Sequence, residues 1–406
     1  MPLNDYIPCM NVDRRHGRDE TELITSYFQQ GFTNHEILEF LKLHGIEFSL
    51  STLKRRLRIL GLRRRVPAEE QLTQEEIECI VEIELAGSKC NVGYRKMWKH
   101  ISTKYGITVR RDVIRKCLVK LDPQGVQSRA KKRLRRRAYS SRGPNHIWHI
   151  DGHDKLKPFG FNIHGCIDGF SRRLIWLEVG PTNKNPQVIG KYYLDAVLQI
   201  GGVPQRMRSD DGTENSIVEA LQIFLRSQHH DEHAGLASFS IGTSTSNQRI
   251  EAYWSHLIRD GPGWWINFFK DLRDFDLFND SDPVQMDLIR FCFMDILRNE
   301  LHKVAEMWNQ HIIAPSKFGN NTGPRGRPDV MFFLPHLFDT GDCKQEIDRD
   351  EVNEFYDYSM SVKDFSDEFG EFASFVMTEL GLTKPTNAKE AFHLYLTLLQ
   401  EIETIN

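Results

Sequence analysis

The sequence predicts a mixed α/β core set between two helical flanks, and three observations carry that reading. Short apolar runs between residues 147 and 180 are separated by glycine-containing turns, the texture of neighbouring strands. From 186 to 260, runs with a helical apolar period alternate with short strand-like runs, which is how a sheet covered by helices is written. Before and after that stretch the apolar spacing is helical. The pattern divides the chain into a helix-turn-helix-like region (1–66), a second helical and basic region with a linker (67–139), the α/β core (140–262) and a mostly helical C-terminal region (263–406).

In the first region, TELITSYFQQG ends on a glycine suited to close a helix, and Thr33 with Glu36 can cap the next one, EILEFLKLHG. SLSTLKRRLRILGL begins on a serine cap. It carries Lys54, Arg55, Arg56 and Arg58 on a helix with Leu53, Leu57 and Leu60 at core spacing. Three short helices with a basic third are what a helix-turn-helix reader of DNA needs; the alternative is a small bundle with a solvated charged face. In the second region, GYRKMWKHISTKYGITVRRDVIRKCLVKLDP repeats the helix, turn and basic helix. The following run, with Lys131, Lys132, Arg133, Arg135, Arg136 and Arg137, can lie along phosphates or serve as a nuclear import signal.

Charge supports the same division. Residues 1–140 have a net charge of +11 and the remainder −14, an asymmetry hidden by the overall −3. A basic front and an acidic rear suggest that the front meets a polyanion. No run of eighteen apolar residues occurs, so no membrane partner is expected. The N-terminus lacks the apolar stretch of a secretory signal, which predicts an intracellular and, with the basic run, a nuclear protein. Seven scattered cysteines without a CxxC argue against a disulfide framework and a cysteine-based zinc site.

In the core, IWHIDGHDKL, NIHGCIDGF and LIWLEVG read as three strands, followed by the helix PQVIGKYYLDAVLQIGG. A fourth strand, QRMRSDDG, leads to the helix NSIVEALQIFLRSQ, and a fifth, FSIGTS, to the helix SNQRIEAYWSHLIRD. Asp151 closes the first strand before Gly152, and Asp210 ends the fourth. Glu251 lies on the last helix, where Asn247, Glu251, Trp254 and Ile258 share a stripe that the spacing predicts to face inward. An acid on such a stripe needs a partner or a metal. Each acid alone also reads as a turn cap or a helix-face ion pair. Asp168 is expected to satisfy a turn or Arg172 and Arg173, Asp154 and Asp195 to lie on the surface. His229, His230 and His233 lack zinc-site spacing.

Taken together, Trp148–Asp151, Ile167–Arg172, Arg208–Asn215 and Asn247–Glu251 resemble the retroviral-type integrase core of retroelement integrases and DDE transposases, over roughly 140–262. The resemblance implies a ribonuclease-H-like mixed five-stranded sheet. It also implies a catalytic, metal-binding triad of Asp151, Asp210 and Glu251, with Asp211 in the less acidic neighbouring place. Two Mg²⁺ or Mn²⁺ ions, end processing and strand transfer of DNA, and a homo-oligomer, dimer or higher, follow from the same likeness; Arg249 is then placed to steady the DNA backbone. Forty residues separate Asp210 from Glu251, more than the family commonly has, and a surface loop through Ser227–Ala237 is expected to absorb them. The retroviral zinc domain is not visible at the front, where the tandem helical regions look more like a bacterial-type transposase. NQHIIAPSKFGNNTGPRGRPDV looks like the post-core segment of integrase-like genes carried by animals and fungi. The alternative function is a catalytically inactive, host-adopted DNA-binding or assembly protein retaining the fold. A ribonuclease acting on RNA–DNA hybrids is a weaker third.

Overall fold

The computed structural model describes residues 6–64, 72–129, 141–242, 247–313, 323–356 and 359–405. At its centre lies a five-stranded mixed sheet of β1 (Ile147–His153), β2 (Asn162–Asp168), β3 (Leu174–Gly180), β4 (Arg206–Ser209) and β5 (Phe239–Ile241). The order is β3-β2-β1-β4-β5. β1, β2 and β3 form an antiparallel meander, while β4 joins β1, and β5 joins β4, in parallel. Every residue of β2 is buried, the polar Asn162, His164 and Asp168 included, so no exposed row alternates along it.

Side chains alternate between the faces of a strand, and the sheet sorts its residues accordingly. Trp148, Ile150, Cys166 and Trp176 join one apolar cluster, whereas Ile163, Ile167, Leu177 and Val179 join another. In β3, Ile175 and Trp176 point to the same side because the ladder shifts register there: Cys166 pairs with Trp176 and Ile167 with Leu174, leaving Ile175 as the extra residue of a bulge.

On the Trp148 face pack α1 (Glu20–Gln29), α2 (Asn34–Lys42) and α3 (Leu50–Ile59) together with the two helices that follow the third and fourth strands. Those are α8 (Pro186–Ile200) and α9 (Ser216–Leu225). The expected caps are present: Thr33 and Glu36 form a capping box on α2, and Ser49 accepts from Thr52 N on α3. The helix-turn-helix-like region therefore shares its core with the sheet. The second region does not. Its helices α4 (Gln74–Leu85), α5 (Tyr94–Tyr105), α6 (Arg111–Leu121) and α7 (Pro123–Arg129) close around their own cluster of Ile77, Val81, Met97, Ile101, Ile114 and Leu118.

The opposite face of the sheet is covered by α10 (Gln248–Asp260), α11 (Pro262–Asp274), α12 (Pro283–Gln310), α15 (Asp367–Glu379) and α16 (Ala388–Ile405). Two short helices, α13 (Pro328–Phe333) and α14 (Arg349–Tyr356), return to the first face. The acidic C-terminal third is thus part of the body of the protein, and 262/263 marks a change of texture inside one continuous core. α12, 28 residues and about 42 Å long, runs along β3. Its Asn309 side chain accepts from Leu174 N and donates to Leu174 O, so it completes hydrogen bonds that an edge strand otherwise leaves open. Among the described residues no helix is long and apolar enough to cross a membrane.

Candidate active site

The alternation that sorts the core also points Asp151 and His149 toward the α10 side of the sheet, since both differ in parity from Trp148 and Ile150. α10 is fastened to β1 at that point. Asn247, immediately before the helix, contacts His149 Nδ1 through its Oδ1 at 2.8 Å and donates from Nδ2 to the Ile150 carbonyl at 2.8 Å. Both side chains are buried. Two turns further on, the Trp254 indole N–H donates to Asp151 Oδ2 at 2.7 Å. Trp254 reaches that far because the residue opposite Asp151 on β2 is Gly165, where a Cβ would stand 2.8 Å from the indole ring.

Three acids separated by up to a hundred positions in the chain meet here. Burial pushes Asp151 up to about 7, the Trp254 hydrogen bond pulls against it, and the nearby charges of Glu251 and Asp210 raise it further. Asp210, just beyond β4, is raised by partial burial and by Glu214, with Lys184 opposing. Glu251 is raised by partial burial and by Asp210. Each carboxylate disfavours the charge of a neighbour, so a cation placed among them relieves repulsion.

One expectation about Glu251 is corrected. The inward stripe of α10 is Ile250, Tyr253, Trp254 and Leu257, and Glu251 is exposed at its margin. A pitch of 3.6 residues leaves either 250 or 251 available for the buried row, and packing against Gly165 selected Ile250. What distinguishes Glu251 is its proximity to the other two acids, not burial.

The donor set suits a hard divalent cation, which takes oxygen ligands. Asp210 Oδ1 is buried with no hydrogen-bond partner among the described residues, the condition of an oxygen that a cation satisfies. No three His, Cys, Asp or Glu side chains among the described residues share a common coordinating point. Mg²⁺ commonly takes only one or two protein carboxylates and keeps its waters, so the electrostatic coupling is the more informative of the two observations.

The residues around the triad are mostly structural. Arg249, expected at the DNA backbone, donates from Nε to the Gly169 carbonyl at 2.9 Å and so ties α10 to the β2–β3 turn. Asp168 accepts from Asn145 N, Phe170 N, Ser171 N and Ser171 Oγ, so it satisfies that turn. The additional residues before β5 fold back on the buried Arg226, which holds Asp231 while its carbonyl accepts from Gly235 N. His229 and His233 belong to this loop. There His229 Nε2 lies 3.1 Å from the Glu346 carbonyl.

Of the expected DNA contacts, Lys54, Arg55 and Arg58 are exposed on α3, and Arg56 is exposed but paired with Glu20 at 3.0 Å. Lys131, Lys132, Arg133, Arg135, Arg136 and Arg137 lie outside the described residues. The reading of the sequence missed His149, Lys184 and Glu214. His149 carried a signal, a polar residue inside the apolar run IWHI. Lys184 bonds Glu214 at 3.0 Å beside Asp210, a pairing that nothing in the local sequence announces. Asn247→Ala removes the two hydrogen bonds that this side chain makes to β1. It is expected to cost about 1–3 kcal/mol of stability, read as a lowered denaturation midpoint.

Comparison with curated proteins finds no matching relative. Residues 138–324 match the family model described as the integrase core domain, a span that runs past α10 through α11 and α12. The match agrees with the sheet order and the helical cover. Residues 138–324 are an integrase-type core domain with a polynucleotidyl-transferase-like fold.

Proposed function

We propose that the protein is a metal-dependent polynucleotidyl transferase of the DDE integrase and transposase type, acting on DNA in end processing and strand transfer. The reading rests on one observation: acids from β1, the end of β4 and the first turn of α10 come within electrostatic reach of each other. Asp151, Asp210 and Glu251 would hold two divalent ions, Mg²⁺ or Mn²⁺, which when bound supply activation of the attacking oxygen and stabilisation of the departing one. The protein's own groups set the stage. Trp254 fixes one oxygen of Asp151, leaving the other carboxylate oxygen available to the site. Asn247 keeps the start of α10, and with it Glu251, at a set distance from β1. Lys184 opposes the negative charge around Asp210, to which its partner Glu214 adds. Lys54, Arg55 and Arg58 on α3, with the basic segment 131–137, are the proposed DNA contacts, and a nuclear location and a homo-oligomer accompany this reading.

The test uses purified protein with duplex DNA and Mn²⁺ or Mg²⁺. Nicked or joined products are expected from the wild type and none from Asp210→Asn, which keeps the shape of the side chain. A second reading, an inactive DNA-binding or assembly protein, is favoured by the lack of a shared coordinating point for three acids. Melting separates the two. An ion about tenfold above its dissociation constant stabilises the native state by about 1.4 kcal/mol. The transferase reading expects that rise in the wild type and its loss in Asp210→Asn; an unmoved midpoint in the wild type, with no products, sinks it.

A further inference from the structure

Four cations gather where the two helical regions meet the segment after the core. Arg64 follows α3, Lys99 is on α5, Arg111 begins α6, and Arg327 precedes α13. Three of them converge on consecutive carbonyls of the turn that closes α1. Lys99 Nζ donates to Gln30 O at 2.9 Å, Arg327 Nη2 to Gly31 O at 2.8 Å, and Arg64 Nη2 to Phe32 O. Gly31 makes the turn possible: its φ of +84° is left-handed, and a Cβ there would sit 3.6 Å from Lys99 Nζ. Aromatic faces carry the guanidinium groups, Arg64 over Phe28 at 4.5 Å and Arg111 over Trp98 at 4.3 Å.

The carbonyls of a helix C-terminus offset only a fraction of one positive charge. The nearby carboxylates are few. Glu36 lies 3.6 Å from Arg327 but also serves its own capping box, Glu306 acts on Lys99 without a direct bond, and Asp329, which acts on both Lys99 and Arg327, is already paired with Arg173. The cations oppose one another. Lys99 is lowered to about 8 by burial and by Arg327, and Arg327 and Arg64 are lowered by burial and by neighbouring arginines. Arg64 and Arg111 are exposed, so the outward side of the cluster is open to a ligand. Arg64 also lines a cleft with Lys54, Arg58 and Arg63 along α3, which makes the cleft and the junction one continuous positive surface.

We propose that this junction binds phosphates of a duplex DNA backbone, extending the α3 surface across both helical regions, with Arg64 and Arg111 in contact and Lys99 and Arg327 as the anchored charges behind them. The inference rests on the reading of the protein as a DNA-binding one. It extends that reading in giving the folded helices of the second region, through Arg111 on α6, a place on the DNA. A duplex is suited to the site because phosphates recur along it at fixed spacing and each contact releases counterions.

The test is the salt dependence of binding to a mixed-sequence duplex by the full-length protein. Arg64→Ala and Arg111→Ala are each expected to flatten the slope of log affinity against log salt by about 0.9, and the double variant by about 1.8. Arg64→Gln, which retains a hydrogen-bond donor toward Phe32 O, is expected to flatten the slope as Arg64→Ala does while keeping the wild-type melting midpoint. Wild-type binding with unchanged slopes in all variants overturns the junction alone and leaves these cations as a cap for α1. A wild type that binds no duplex at low salt overturns both the junction and the DNA reading beneath it.

Discussion

Asp329→Ala is expected to lower the stability of the protein by about 3–5 kcal/mol. The carboxylate is fully buried, as is its partner Arg173, whose Nε stands 3.0 Å from Asp329 Oδ1. Tyr6 donates to both carboxylate oxygens, at 2.8 and 3.0 Å. Phe332 and Phe333 lie against the guanidinium at 5.3 and 5.0 Å, so water cannot replace the lost partner. Removing one member of such a pair leaves an uncompensated buried charge, which is the source of the large cost. Replacing both, as in Arg173→Met with Asp329→Leu, is expected to cost much less than either single change. Urea denaturation midpoints of the singles and the double decide the matter; a mild Asp329→Ala would mean that the pair is solvated in solution. The site joins the start of β3, the chain before α1 and α13, so the effect is expected to loosen α1–α3 as well as the sheet.

Acidification is the second large effect. Burial lowers His149 and His164 to about 3 and His146, His153 and His311 to about 4. In the unfolded chain each imidazole protonates near 6.5, whereas in the folded one it stays neutral until far lower. Their stabilising contribution is therefore complete above about 6.5 and is lost as pH falls toward 4, at up to about 1.4 kcal/mol per pH unit for each group. Raised carboxyls work in the opposite sense. Asp151, at about 7, and Asp168, at about 6, favour the folded state below the unfolded value near 4 and lose that contribution as pH rises through their folded values, and Asp210, Glu251, Glu306 and Asp329 are raised in the same direction. The imidazoles held to about 4 or below carry the larger effect between pH 6.5 and 4.5, so a net loss of stability is expected over that range in chelator. Melting midpoints across that range check it, and a midpoint that holds steady or rises on acidification contradicts the balance.

Much of the core was legible because its chemistry is local. Asp151 before Gly152 and Asp210 before Asp211-Gly212 sit where apolar runs stop. The strand runs and the helix SNQRIEAYWSHLIRD fell where the elements are, and Thr33, Glu36 and Ser49 cap the helices they were expected to cap. Glu251 shows where such reading fails. Periodicity places residues on a helix face to within about one position, and the partner surface chooses the buried row. Arg249 shows a tie that no local pattern announces: its Nε donates to the Gly169 carbonyl 80 positions away. The acidic C-terminal third gave a helical pattern but no hint that α12, α15 and α16 complete the core against the sheet.

By itself the sequence determined which segments are strands and helices and that Asp210 follows the end of a strand, because caps, turns and apolar period act over a few residues; Asp151, expected to close the first strand, lies inside β1, whose pairing with β2 carries it on to His153. Only the tertiary structure decided that Gly165 admits Trp254 to Asp151, that Asn247 ties α10 to β1, and that three cations from distant segments share the turn that closes α1. Those pairings join positions between 32 and 296 residues apart and depend on which surfaces pack. Charge and burial at such a meeting point are properties of the assembled neighbourhood, so no window of sequence contains them.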